Sequence, residues 1–213
     1  VMRRILAGVA LALLAACSAP DYTPVRDWAR VASLVADHPA VVPPAGTAAE
    51  AADGTLAMRD ALATYLAALG RMADDGVLPY LEDPFTDLAP RAARADAAGG
   101  TAVAGIGRTL RLASRQNWQA PDLRYAIRTF DPDVQALVGA LSGALERDAP
   151  GSPEAAAIRR IGMGHALLTE EAGRITREEV VQRIRAEEDR LRRTAFALPR
   201  GTPQPPSAST PAP

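Results

Sequence analysis

The sequence predicts an all-α protein: an irregular antiparallel bundle of about six to eight helices, with a flexible N-terminal tether and a disordered proline-rich C-terminal tail. Three observations predict it. Hydrophobic residues make up 48% of the 213-residue chain, but 46 of them are alanine, the best helix former and a residue with little area to bury. Aromatics are only 4%, too few for a β-sandwich or barrel built on aromatic and β-branched side chains. Apolar residues also recur at spacings of three and four between proline and glycine breaks, with no strand-like alternation and no repeat of fixed period. All 24 basic residues are arginine and stand against 25 acidic ones; the net charge of −1 excludes nucleic-acid binding by bulk electrostatics.

The helices follow in order. Val25 to Asp37 carries Val25, Trp28, Val31, Ala32 and Val35 on one face and closes at His38-Pro39. Ala40 to Gly46, with Pro43-Pro44, reads as a linker. Thr47 to Ala73 has a stripe of Leu56, Met58, Leu62, Tyr65, Leu66, Leu69 and Met72, with Gly54 as a break near its start and Asp74-Asp75-Gly76 as its stop. Asp83-Pro84 opens a short helix to about Ala95 that Pro90 bends or divides, and Gly99-Gly100 reads as a turn before Thr101 to Arg115. Leu123 to Phe130 is expected to end where Asp131-Pro132, an acidic cap before a first-position proline, starts Val134 to Arg147. Ser152-Pro153-Glu154 repeats that device for Ala155 to Glu170. Thr176 and Glu179 form a capping-box pattern before Val180 to Ala197, which leaves Val180, Ile184, Leu191 and Phe196 to dock.

The N-terminus has a separate logic. Arg3 and Arg4 precede Ile5 to Ala16, twelve residues without a charge, which is the layout of a secretory signal and too short for the ~20 apolar residues of a membrane span. Leu14-Ala15-Ala16-Cys17 then resembles the lipobox of bacterial lipoproteins, a resemblance confined to about the first 18 residues. It implies cleavage before Cys17, a diacylglyceryl group on its thiol, and anchoring without a transmembrane helix, each buried methylene contributing about 0.8 kcal/mol. It also implies, from Ser18 after the cysteine, an outer-membrane destination on the periplasmic side. The expected organisation is a signal peptide over 1–16, a lipidated tether over 17–24, one helical domain over 25–198 and a tail over 199–213 with six prolines. The single cysteine excludes an internal disulfide, so packing alone holds the fold.

Motifs for chemistry are sparse. The two histidines, His38 and His165, have no metal-pair spacing and read as structural. Gly105-Ile106-Gly107 and Gly162-Met163-Gly164 lack the rest of a phosphate loop and read instead as close approaches of backbone. Carboxylates gather at Asp74, Asp75, Glu82, Asp83 and Asp87, yet the glycine follows the paired aspartates too early for a calcium loop. Asp83 reads as a cap and Asp74-Asp75 as a helix-ending turn. No catalytic residue, metal or cofactor is expected. A candidate partner surface comprises Asp74, Asp75, Tyr80, Glu82, Asp83 and Trp118, although Trp28 and Trp118 read better as core anchors in so aromatic-poor a chain.

These features predict a lipid-anchored envelope protein with a structural, scaffold or accessory role, bound to the membrane through acylated Cys17 and to an envelope protein partner, not to nucleic acid. Two other readings are a lipoprotein that holds a small apolar ligand or lipid between its helices, and an envelope hydrolase using the acidic residues of 74–87. Past the signal, Leu, Ile, Val and Phe provide only 38 of 197 residues, so the core is expected to be thin and packed through alanine.

Overall fold

The structure is a computed structural model that describes residues 20–147 and 150–199. The predicted signal, Cys17 and all of the tail but Pro199 lie outside the described residues. Seven α-helices form among them: α1 (Thr23–Ala36), α2 (Ala49–Ala73), α3 (Leu88–Ala95), α4 (Ala97–Arg115), α5 (Leu123–Glu146), α6 (Pro153–Glu171) and α7 (Glu178–Ala197). No strand occurs among the described residues, and no helix there is long and apolar enough to cross a membrane.

The helices close into a ring. α1 packs on α2, α2 on α3, α3 on α4, α4 on α5, α5 on α6 and α6 on α7, while α7 returns to α1. α2 also touches α4 and α5, so it is the central helix. Its burial follows from its sequence: Ala57, Ala61 and Ala68 accompany Met58, Leu62, Tyr65, Leu66, Leu69 and Met72, so neighbours approach on several sides without steric conflict. One continuous core results, and alanine fills much of it, as the composition predicts.

Most of the expected stripes are buried, including Val25, Trp28, Ala32 and Val35 of α1 and Val134, Leu137, Val138, Leu141 and Leu145 of α5. Both glycine pairs mark close approaches. A Cβ on Gly164 would lie 2.6 Å from the indole of Trp28, and one on Gly107 would meet the Asp83 carboxylate. Ser152 caps α6 as expected, its side chain accepting the Ala155 N–H at 3.1 Å.

Several boundaries differ for physical reasons. The body starts earlier than Val25: Tyr22 and Pro24 are already buried, so the last three residues assigned to the tether belong to the bundle. Asp131-Pro132 does not start a helix. α5 runs through it, because Ile127, Phe130 and Val134 continue one buried face across the proline and the Asp131 side chain is engaged elsewhere. Gly99 and Gly100 lie in the first turn of α4, with the Asp96 side chain accepting the Gly99 N–H at 2.7 Å. Asp83-Pro84 forms a turn, and α3 begins only at Leu88, which places Pro90 in its first turn where an N–H is not needed. The Thr176–Glu179 capping box does not form; Arg177 is the N-cap residue and no side chain caps α7. Phe196 does not dock and is 90% exposed.

Candidate functional site

The most developed polar arrangement lies at the centre of the bundle and joins three helices. Tyr65 of α2 and His165 of α6 are fully buried, and the Tyr65 hydroxyl lies 2.6 Å from His165 Nε2. His165 Nδ1 lies 2.8 Å from Oδ1 of Asp131 on α5. Gln135 supports the carboxylate from one turn further along α5, its Nε2 donating to Asp131 Oδ1 and to the Gly162 carbonyl, both at 3.1 Å. Phe130 packs against the Tyr65 ring with centroids 4.8 Å apart.

Protonation states follow from the surroundings. The His165 hydrogen bond holds the Asp131 carboxyl below its ordinary value of 3.8, outweighing the opposing effect of burial, with Gln135 adding to the lowering. Burial, reinforced by the Asp131 charge, pushes the Tyr65 phenol well above its ordinary value of 10.0. An ionised Asp131 therefore accepts from Nδ1–H, and Nε2 shares its hydrogen bond with the protonated Tyr65 hydroxyl. Every polar atom of the ring is matched.

The order carboxylate–imidazole–hydroxyl has the connectivity of an acid–base relay. Two of its three members are sealed from solvent. Substrate would have to touch the phenol or the ring, and both are 0% exposed; only Asp131 reaches solvent, with 24% of its side chain accessible. The arrangement is a cross-link that orients α2, α5 and α6 around the core, where an apolar trio would have left helix rotation less defined.

A lowered carboxyl stabilises the folded state above its unfolded-state pKa, and that contribution is lost as pH falls through the folded-state value. Asp131→Asn is therefore expected to lose about 1–2 kcal/mol at pH 7. The gap from the parent protein should narrow as pH drops below 3.8. Urea unfolding midpoints between pH 7 and pH 2.5 or so check this; a gap that stays constant would contradict the assignment.

Apart from Glu82, the residues of the predicted surface are each engaged locally. Asp74 caps the end of α2 and pairs with Arg26 and Arg30 of α1 at 3.0 and 3.3 Å. Asp75, at φ 56°, accepts the Ala120 N–H at 3.2 Å. Tyr80 is half-buried and its N–H donates to Ser114 Oγ at 3.2 Å, while burial raises its phenol above the ordinary value. Glu82 is exposed, and Asp83 Oδ1 accepts the Phe85 N–H at 2.8 Å. Trp118 belongs to the core: it is 5% exposed, donates to Gln116 Oε1 at 2.9 Å and stands edge-on to Tyr125. These residues pin the 74–87 segment to α1, to α4 and to the α4–α5 connection.

Sequence reasoning missed Tyr65, Asp131 and Gln135. Asp131 was assigned to a cap, and only the mid-helix position of His165 among apolar neighbours hinted at a partner. It also missed the buried acids beside α7. Glu171 pairs with Arg183 and with Arg174 at 2.8 Å, and Glu187 pairs with Arg160 at 3.1 Å and Arg190 at 2.8 Å. Among the described residues no group of three or more His, Cys, Asp or Glu could hold a metal ion. Surface depressions, such as one of about 600 Å³ along α1 and α2 lined by Arg30, Leu34 and Arg71, are open to solvent.

Fold and site together define an all-α bundle with a connected polar group, Tyr65–His165–Asp131, at its centre. Compared with protein-family models, curated proteins and solved structures, the chain matches none.

Proposed function

We propose that this chain is a lipid-anchored cell-envelope protein with a structural, scaffold or accessory interaction role, held on the periplasmic face of the outer membrane. The observation that carries this reading is the run Leu14-Ala15-Ala16-Cys17 placed directly ahead of a folded body whose first buried residue is Tyr22. A lipid on Cys17 then suffices as an anchor. The interaction role is supported by where the polar groups are spent: the Tyr65–His165–Asp131 group serves packing, and the 74–87 carboxylates serve turns and ion pairs.

Cys17→Ser is expected to abolish acyl labelling and to leave uncleaved precursor. A mature wild-type protein that is soluble and lacks acyl mass overturns the anchor. Pulldown of the anchored protein from membranes tests the role, with a specific envelope protein as the expected result. Recovery of co-purifying lipid without any protein partner favours an apolar-ligand carrier instead.

A further inference from the structure

Two tracks of opposite charge run side by side on one face of the bundle. The segment 80–93 follows α4 in the reverse direction: the Tyr80 N–H donates to Ser114 Oγ at 3.2 Å, Phe85 packs so closely on Gly107 that a Cβ there would lie 3.0 Å from its own, and Ala93 closes on Gly100. Glu82, Asp83 and Asp87 follow one another along this segment with no basic residue between them. The exposed side of α4 beside it carries Arg108, Arg111 and Arg115 at spacings of three and four with no acidic residue between them.

Neither track is neutralised within the chain. Among the described residues none of these six forms an ion pair, although Asp83 lines the same depression of about 540 Å³ as the three arginines. Asp83 is turned back on its own loop, accepting the Phe85 N–H at 2.8 Å, and Arg108 also feels the Asp133 carboxylate of α5. Arg91, the basic residue closest in sequence to Asp87, is held by Asp53 through two hydrogen bonds of 2.6 and 2.9 Å. That leaves Glu82 and Asp87 against Arg111 and Arg115. The other acids of the loop stand outside this balance: Asp74 pairs with Arg26 and Arg30, and Asp75 accepts the Ala120 N–H.

Apolar surface accompanies the charge. Leu81 in the acidic track is 81% exposed, and Leu112 in the basic one is 44% exposed. The face is also preformed, because buried Phe85 and the close approaches at Gly100 and Gly107 fix the segment on α4, so little ordering is needed before it can bind.

The balance of charge selects the occupant. A uniformly acidic or basic partner, or an anionic lipid surface, would gain on one track and lose on the other. Full complementarity needs a surface with the same two tracks in exchanged places. A second copy of this chain supplies it, since a two-fold axis running between the tracks lays the acidic track of each copy over the basic track of the other. We infer that this face is an isologous interface between two copies of the chain, with Glu82 and Asp87 of each copy on Arg111 and Arg115 of the other and with Leu81 and Leu112 as its apolar contacts. The inference goes beyond the anchored reading and does not rest on it.

Sedimentation equilibrium of the full chain as isolated from cells, in density-matched detergent and with the acyl group read separately by intact mass, tests it. The parent is expected to reach the mass of two copies with a Kd of about 1–100 µM at low salt. High salt should weaken the pair about tenfold or more. Arg111→Glu/Arg115→Glu makes both tracks acidic and Glu82→Arg/Asp87→Arg makes both basic, so each variant alone should stay at single-copy mass. An equimolar mixture of the two variants should recover the pair, because the reversed charges then face their opposites. Misfolded variants could not produce that recovery. A parent at single-copy mass throughout that range overturns the interface. So does a pair that survives in both variants, or one that is lost in both and not recovered on mixing. Binding of an acidic protein by a parent that stays monomeric would also overturn it and assign the arginines to that partner.

Discussion

Replacing His165 with leucine is expected to destabilise the protein by about 2–4 kcal/mol, one of the two largest single-residue effects predicted for the bundle. Leucine fills most of the volume, so the loss comes from polarity. The Tyr65 hydroxyl is left without its partner in a fully buried position, and Asp131 loses the donor that holds its charge. Removing both buried partners should recover much of this. In Tyr65→Phe/His165→Leu no stranded hydroxyl remains, and Asp131 still has Gln135 and partial access to water. Tyr65→Phe alone strands Nε2 and should cost about 1–3 kcal/mol. Urea midpoints of the four proteins form a double-mutant cycle, with strong positive coupling expected. If the double variant is as unstable as the two single losses added together, the three groups do not act as a connected unit.

Trp28→Ala is expected to cost about 3–5 kcal/mol, since it empties the space of a side chain that is 1% exposed between α1 and α6. The informative variant is subtler. A methyl group on Gly164 would lie 2.6 to 2.7 Å from Cζ2, Nε1 and Cε2 of that indole, and a buried ring cannot swing aside. Gly164→Ala should therefore cost about 1–3 kcal/mol through overpacking, overriding the ~1 kcal/mol that alanine normally gains over glycine in a helix. Phenylalanine at position 28 lacks Cζ2 and the rest of the fused ring, and the smaller ring can repack away from the new methyl group. It also removes Nε1, a buried donor with no hydrogen-bond partner. In a Trp28→Phe background, Gly164→Ala is expected to become neutral or stabilising, and thermal unfolding of the four combinations would read the change of sign. An unchanged penalty would place the conflict at some neighbour other than the indole.

These two sites also show what could be read in advance. Trp28 as a core anchor and the Gly162–Gly164 pair as a close approach were legible, because periodicity and the cost of glycine in a helix are local properties. Which residue approached which glycine was not legible, since it depends on the ring of helices. The Tyr65–His165–Asp131 group was hidden for the same reason: its members are separated by 66 and 34 positions and meet only after α2, α5 and α6 have packed. The misreading of Asp131-Pro132 has a specific cause. Aspartate before proline is a sound local start signal, and here tertiary contacts on both sides of the proline outweigh it. The capping pattern at Thr176 failed similarly, with Arg177 at the N-cap and the helix starting at Glu178. The acids of α7 looked like members of a solvated, self-cancelling face. Glu187 and Glu188 are instead largely covered, because their arginine partners lie over them.

The closure of the ring by α7 against α1 bears on the order in which the molecule can be made. Synthesis releases α1 first and α7 last, and one flank of α1 has no cover until the final helix arrives. Contacts between the two ends of the chain are the slowest to form, because the whole intervening loop must be closed before they repay anything. A nascent chain lacking α7 therefore leaves that flank of α1 uncovered. The last twenty-residue helix acts as the latch that completes the ring.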